Sequence, residues 1–316
     1  MTTVFSIVLP IFGLIALGVI GGRSRLFPES AVNGLNNFVL YVAVPALLFR
    51  TIVRAQPLDN LNLDVAFAYY LGSFAMLGAA LLFGRGVFRL RDGEQASFAM
   101  GAMFSNTSLL GIPLVFAAFG EPGLVPLMVI ITFHSLVFST IFFTLHDLGK
   151  AHDGDKARVV GWAGTARLAG RSIVTNPVII SIVVGFAWST LGLGLPGPVS
   201  VIIDMLADAT IPTALFALGA VLAGFRVAGN VPQAATMAVG KLLVHPLVVF
   251  VVARTLFDLS DIELAVVTIT AALPGGMMVF LIAQSYGVYV ARAASSLVLG
   301  TAGALITVSV LLAWFA

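Results

Sequence analysis

The feature that most constrains this chain is a series of long apolar runs separated by short polar loops. A helix needs roughly 20 residues to cross the hydrocarbon core of a bilayer, and each run is close to that length or longer. Only 9% of the residues are charged, whereas a soluble domain carries about 25%. We therefore expect an all-α membrane protein with ten transmembrane helices, at residues 4–20, 35–53, 65–88, 95–119, 123–145, 173–191, 199–223, 234–257, 262–286 and 291–315.

The basic residues predict the orientation of the chain. If the N-terminus lies outside, twelve Lys and Arg residues fall on the inner side and only Arg50, Arg54 and Arg254 on the outer side. Cytoplasmic loops carry an excess of Lys and Arg, so this orientation is favoured, with both termini outside a cell (inner) membrane. The polar segment 146–171 becomes a cytoplasmic loop between a first half, residues 1–145, and a second half, residues 172–316.

Residues 106–113, which read N-T-S-L-L-G-I-P, predict a break in the fourth span. Pro113 has no N–H and clashes with the preceding helical turn. Asn106, Thr107 and Ser108 carry side chains that compete for backbone partners. Irregular backbone at membrane depth is tolerated only where it is buried in protein or lines a cavity, so this break is a candidate binding site.

Several landmarks recur at one offset of 167 residues, which predicts an internal repeat. The matched pairs are Pro10 with Pro177, Pro45 with Pro212, and Gly120 with Gly287. Each half contains five predicted spans, and an odd number makes the second half enter the membrane from the opposite side. The prediction is a 5+5 inverted repeat, the arrangement found in many secondary transporters.

The offset relates residues 106–113 to residues 273–280, which read L-P-G-G-M-M-V-F and predict a second break, in the ninth span. Two broken helices that cross would present free N-termini, whose N–H groups and dipoles favour an anion. The predicted substrate-binding residues are Asn106, Thr107, Ser108, Pro113, Pro274, Gly275, Gly276, Gln284 and Lys241. Ser285 beside Gln284 is a further candidate for the crossing.

Ionisable residues inside the spans are candidates for ion or proton coupling, because such groups are costly at bilayer depth. Lys241 and His245 share one helix face, and Asp208 lies four residues after Asp204. The alternatives are that Lys241 reaches an interface, that His245 bonds a carbonyl, and that the two aspartates favour the N-terminal half of their helix or face outside water. His134 is expected to be a hydrogen-bonded structural residue.

Asparagines at the starts of two spans have structural interpretations. Asn33, Asn36 and Asn37 are expected to cap the second span, and Asn176 with Pro177 to shape the start of the sixth. The sequence has no enzyme-like constellation, no nucleotide-binding loop and no clustered metal ligands. We predict a protein that is not an enzyme, with no cofactor, no metal and no nucleic-acid partner.

The chain resembles the auxin efflux carrier family, which includes plant auxin carriers and bacterial malonate or malate permeases. The resemblance rests on V-P-A-L-L-F in the second span, N-T-S-L-L-G-I-P in the fourth and A-L-P-G-G in the ninth. The short central loop resembles the bacterial branch. The family implies an elevator mechanism, with a dimerising scaffold of helices 1, 2, 6 and 7 and a transport domain of helices 3–5 and 8–10.

The resulting hypothesis is a secondary active transporter, or a uniporter, of small organic anions, expected to be carboxylates. Plant carriers have an asparagine in each broken helix, whereas here Leu273 and Pro274 stand at the second position, which argues against an auxin-like substrate. The alternatives are a sodium-coupled organic anion carrier similar to bile acid symporters, and a membrane sensor that does not transport.

Overall fold

The computed structural model describes residues 2–24, 26–55, 62–152 and 175–315, and these residues form helices without a β-strand. The helices are α1 (Thr2–Arg23), α2 (Glu29–Phe38), π1 (Val39–Ala43), α3 (Val44–Ala55), α4 (Asp64–Gly86), α5 (Asp92–Gly101), π2 (Thr107–Gly111), α6 (Ile112–His152), α7 (Pro177–Thr190), α8 (Gly197–Asp208), α9 (Thr210–Leu222), α10 (Val231–Val239), π3 (Gly240–Val244), α11 (His245–Leu256), α12 (Asp261–Ala272), α13 (Met277–Tyr286) and α14 (Val290–Phe315).

The helices confirm a multi-pass membrane protein. Within the described residues, seven helical segments are long and apolar enough to cross a membrane, and α7 and α13 are shorter apolar helices. One segment, Thr107–Gly149, runs for 43 residues and is interrupted at Gly120, whose φ is 65°. Large apolar side chains such as Leu9, Leu82 and Ile306 are more than two-thirds exposed, as expected where lipid covers the surface.

Within the described ranges there are three π-helices, and each ends two residues before a proline, a feature that the sequence analysis missed. The pairs are π1 with Pro45, π2 with Pro113, and π3 with Pro246. Proline cannot donate the usual helical hydrogen bond, and its ring crowds the preceding turn. A wider turn accommodates both effects, so the helix continues through these prolines.

Close helix packing builds the part of the fold formed by α1, α3, α7 and α9. Helix α1 packs along α9, and α3 packs along α7. A Cβ atom on Gly18 or Gly219 would clash with the backbone of the facing helix. Small residues therefore let α1 and α9 approach closely, as is common between helices in membranes.

The buried apolar residues form two clusters. One draws on α1, α3, α7 and α9 and reaches into α6, α12 and the end of α14. The other draws on α4–α6 and α10–α14 and contains no residue of α1–α3 or α7–α9. Helix α4 packs on α11, and α10 packs on α14, within this second group.

The first residues of the predicted cytoplasmic loop, residues 146–171, are helical in the structure. Residues 146–152 continue helix α6, and residues 153–171 lie outside the described residues. His146 explains part of the difference, because its ring is buried and its Nε2 lies 3.0 Å from the Ser97 hydroxyl. This contact attaches the extra helical turns to α5.

Candidate functional site

The two helix breaks contact each other through their backbones. The N–H of Asn106 donates to the carbonyl of Pro274 at 3.0 Å, and the N–H of Gly276 donates to the carbonyl of Phe104 at 3.2 Å. These hydrogen bonds satisfy backbone groups that would otherwise be unpaired deep in the protein. The contact brings residues more than 160 positions apart in the sequence to one place.

The second break has a clear local cause. Helix α12 ends at Ala272, and α13 begins at Met277. Pro274 between them has no N–H to continue the helix. Gly276 permits the close approach, because a Cβ there would lie 2.7 Å from the Phe104 ring and 3.2 Å from the Ser105 carbonyl oxygen.

The first break lies slightly before the predicted stretch. Helix α5 ends at Gly101, and the chain is irregular until π2 begins at Thr107. The Asn106 side chain caps π2, since its Oδ1 accepts the N–H of Leu109 at 3.3 Å. Pro113 therefore lies beyond the break, in the helix that continues from π2.

A cavity of about 480 Å³ lies against both breaks. Asn106, Thr107 and Ser108 line it from the first break, and Gly276 lines it from the second. The opposite wall comes from α2, α7 and the residues just before α7. The polar residues that line the cavity are Asn36, Ser105, Asn106, Thr107, Ser108, Ser135, Thr175 and Asn176.

The cavity wall combines polar and apolar side chains. None of the described residues that line it carries a charge. The first turns of π2 and α13 both border the cavity, and the first N–H groups of a helix lack intrahelical acceptors. Their dipoles give this wall partial positive character, which favours a negatively charged group.

Two asparagines join this cavity although the sequence analysis interpreted them as caps. The Oδ1 of Asn176 does cap α7, accepting the N–H of Val178 at 2.9 Å. Asn36 lies near the end of α2, and its buried Oδ1 has no hydrogen-bond partner among the residues that the structure describes. The sequence signal that could have marked Asn36 as a site residue was its amide inside an apolar span. That signal does not reveal which residues surround Asn36 in the tertiary structure.

Other predicted site residues lie outside the cavity wall. Pro274 and Gly275 belong to the second break itself, where a Cβ on Gly275 would contact Leu297 at 3.1 Å. Gln284 is exposed on α13, and the Ser285 hydroxyl beside it donates to the carbonyl of Ile282. The structure thus brings together Asn106, Thr107, Ser108 and Gly276, and it separates Gln284 from them.

Lys241 and His245 lie behind the breaks, away from the cavity. Both are buried, and the Lys241 Nζ donates to the carbonyl of Ala271 near the end of α12. The Nζ also lies 3.2 Å from His245 Nδ1. The Nε2 of the same ring lies 2.9 Å from the Ser73 hydroxyl. Lys241 therefore contacts the backbone of the second broken helix and does not reach the cavity.

Asp208 belongs to a separate ionic cluster. Its carboxylate accepts from Arg50 Nη1 at 2.8 Å, while Asp204 pairs with Arg54 at 2.7 Å. Arg50 is the buried member, with its Nε 3.9 Å from Glu121 at the interruption of α6. The cluster joins α3, α8 and α6 at a distance from the breaks.

A buried polar network supports the first break. The Ser105 hydroxyl donates to the carbonyl of Thr270 at 2.7 Å and accepts from the Tyr69 hydroxyl at 3.1 Å. The Nε2 of His134 lies 3.1 Å from the Ser105 carbonyl oxygen. This contact makes His134 the hydrogen-bonded structural residue that the sequence analysis expected, while Tyr69 and Ser105 were missed.

Comparison with known proteins decides the family. The model of the "Membrane transport protein" family matches residues 3–159 and 163–312. The chain belongs to this membrane transport protein family. The expected resemblance to auxin efflux carriers is confirmed, because relatives of this chain in the family include such a carrier.

Three relatives of this membrane transport protein come from a bacterium, a plant and a mammal. A Rhizobium meliloti protein named "Putative malonate transporter" is 30% identical over 315 residues, covering 99% of this chain and 96% of the relative. Auxin efflux carrier component 8 of Arabidopsis thaliana is 25% identical over 90% of each chain. The lysosomal cholesterol signaling protein of Mus musculus is 29% identical over 71% of this chain and 26% of its own length.

Proposed function

We propose that this membrane transport protein carries small organic anions, specifically carboxylates, across a cell membrane. The observation that carries the proposal is the cavity at the two breaks. Two helix first turns, the Asn106 amide and the hydroxyl-bearing residues Thr107 and Ser108 of the first break border one space. Such groups bind a carboxylate through N–H and O–H donors, which are strongest toward a charged acceptor. The name of the Rhizobium meliloti relative supports the same substrate class.

The proposed architecture is ten membrane helices in a 5+5 inverted repeat, with the fourth and ninth spans broken and crossing. The helix bounds support it, since α4 begins at Asp64 and α10 begins 167 residues later at Val231. Gly120 and Gly287, also 167 residues apart, have φ values of 65° and 69°. A positive φ at both matched positions supports the repeat, although the ψ values differ, at −155° for Gly120 and 19° for Gly287.

We assign the mechanism to elevator-type alternating access. The scaffold would consist of helices 1, 2, 6 and 7, which correspond to α1–α3 and α7–α9, and would form a homodimer. The transport domain would contain spans 3–5 and 8–10. The two buried clusters support this division, because the second cluster draws only on the proposed transport domain.

The cavity is proposed to open toward the cytoplasm, with both termini outside the inner membrane. Asn36 and Asn176 each lie in the part of the chain that directly follows a basic segment. The positive-inside rule places those segments in the cytoplasm. A cavity wall made from these residues therefore belongs to the inner half of the membrane.

Lys241, His245 and Asp208 remain the proposed coupling residues if transport is coupled to protons, and uniport, which couples to no ion, is the other form of the proposal. Carboxylate uptake that requires a sodium gradient would support the sodium-coupled alternative instead. The sensor alternative has one observation in its favour, the name of the mouse relative. Carboxylate binding to purified protein without uptake into proteoliposomes would support the sensor instead.

The test is uptake of malonate and related carboxylates into proteoliposomes, with two matched variants. Asn106→Ala and Asn230→Ala each remove an amide that caps a helix, with cap distances of 3.3 Å and 3.2 Å. Each loss destabilises the helix by about 1 kcal/mol. Only Asn106 lines the cavity, so only Asn106→Ala should weaken carboxylate binding, by about tenfold or more.

Equal binding by these two variants would remove Asn106 from the site. Absence of carboxylate uptake by the unmodified protein, under any cation or pH gradient, would contradict the proposed function as a whole.

A further inference from the structure

The ammonium group of Lys241 occupies a position that dissolved cations use in other transporters. We propose that it is a built-in cation for the end of helix α12, so that carboxylate movement needs no dissolved sodium. The inference rests on the proposed function only for its consequence for transport. Its structural part concerns how α12 is stabilised, and that part can be tested without any substrate.

The end of α12 lacks the backbone donors that usually close a helix. The last four carbonyls of any helix have no intrahelical partner. Leu273, the next residue, is extended, with ψ at 147°. Pro274 then has no N–H, and the N–H of Gly276 donates to Phe104 in the other break. These carbonyls therefore depend on donors from elsewhere in the protein.

The matching helix α5 is closed differently. The N–H of Ala102 donates to the carbonyl of Phe98, and those of Met103 and Phe104 donate to the carbonyl of Met100. These turns satisfy two of the last four α5 carbonyls, those of Phe98 and Met100, within their own segment. The two broken helices therefore differ in chemistry at their C-terminal ends, although they occupy matched positions in the sequence.

Side chains supply the missing donors at the end of α12. The Ser105 hydroxyl donates to the carbonyl of Thr270 at 2.7 Å. The Lys241 ammonium donates to the carbonyl of Ala271. The C-terminal end of a helix carries partial negative charge, so a cation is the favoured partner there.

Lys241 is held in place without a carboxylate. Its Nζ lies 3.2 Å from His245 Nδ1, and the other nitrogen of that ring lies 2.9 Å from the Ser73 hydroxyl. An ammonium donates only, so His245 Nδ1 accepts and Nε2 donates to Ser73. Within the described residues Lys241 makes no ion pair.

This arrangement gives a positive charge on Lys241 a favourable position deep in the membrane, at the negative end of a helix dipole. Transporters with broken helices use unwound carbonyls and helix C-terminal ends to hold sodium ions or protons. Here a covalently attached ammonium already occupies such an end. A dissolved cation would compete with it for the same carbonyl and meet its charge at short range.

The experiment compares the protein with Lys241→Ala, in which a small amine can replace the deleted ammonium. Melting temperature is measured in sodium chloride, methylammonium chloride and choline chloride at equal ionic strength. Arg254→Ala, which removes an exposed cation from α11, is the matched control. The unmodified protein should melt at the same temperature in sodium and in choline.

Lys241→Ala should melt roughly 3 °C lower or more, and methylammonium, but not choline, should restore at least half of the loss. Specific stabilisation of the unmodified protein by sodium would overturn the inference. So would an unchanged melting temperature of Lys241→Ala, or a methylammonium response equal to that of Arg254→Ala. If Lys241→Ala does not fold, the sodium comparison on the unmodified protein decides.

Malonate uptake provides the transport readout. The unmodified protein should take up malonate equally with sodium, potassium or choline outside, and a sodium requirement would overturn the inference. If no malonate is taken up under any condition, the proposed malonate transport fails, while the melting experiments still decide the role of Lys241.

Discussion

Replacing Gly276 by alanine should separate the two breaks. The added Cβ would lie 2.7 Å and 2.8 Å from two Phe104 ring atoms and 3.2 Å from the Ser105 carbonyl oxygen. Gly276 has φ −81° and ψ 154°, which any residue adopts. The effect of the substitution is therefore steric, and it falls on the contact between the breaks.

The magnitude follows from these contacts. Overpacking by one methyl group costs about 1–3 kcal/mol. Moving Phe104 away also strains the hydrogen bond from Gly276 N–H to Phe104, 3.2 Å long, which contributes about 1 kcal/mol. Reduced freedom of the unfolded chain offsets about 0.4–1 kcal/mol. We expect the free energy of unfolding to decrease by about 1–3 kcal/mol. Each 1.4 kcal/mol of this cost that also destabilises the carboxylate-bound state relative to the free protein weakens carboxylate binding about tenfold.

The assay is thermal unfolding in nanodiscs together with carboxylate affinity. Gly78→Ala is the control, because a Cβ at Gly78 meets nothing within 4 Å and alanine favours a helix by about 1 kcal/mol. Phe104→Leu in the Gly276→Ala background should recover part of the loss by opening space. If Gly276→Ala were as stable and as tight-binding as Gly78→Ala, the close contact between the breaks would be refuted.

The remaining predictions concern the buried polar network that supports the first break and the ionic cluster around Arg50. Ser105→Ala should lower the melting temperature and weaken carboxylate binding, because Thr270 loses its 2.7 Å donor; an unchanged protein would show that this hydroxyl is dispensable. Arg50→Gln should lower the melting temperature more than Arg54→Gln, since the two side chains are 7% and 42% exposed and exposed pairs contribute little. The reverse order in a thermal-unfolding comparison would contradict that ranking.

The membrane class and the existence of the breaks were predictable from local sequence. Long apolar runs with few charges indicate a bilayer, because exposing so much apolar surface to water is unfavourable. They indicate helices, because lipid tolerates only internally paired backbone. Pro274 between Leu273 and Gly275 ends a helix for reasons contained in those residues alone. The resemblance was predictable for the same reason, since its motifs consist of the residues that shape these breaks.

Details of helix geometry were less predictable. Pro113 was expected to lie within the first break, yet π2 lets the helix continue through it. A proline requires some local adjustment, but whether the helix breaks or widens depends on how the neighbouring segments pack. The bounds of the helices around the first break therefore could not be read from Pro113 alone.

Partners of the polar residues were decided by tertiary structure alone. Asn36 and Asn176 come from separate helices and reach the cavity of Asn106 only because α2 and α7 pack beside the breaks. Lys241 was expected to contribute positive charge to the substrate-binding site, but it contacts the Ala271 carbonyl instead. Sequence spacing determines which residues share a helix face, whereas only the packing of helices determines what that face meets.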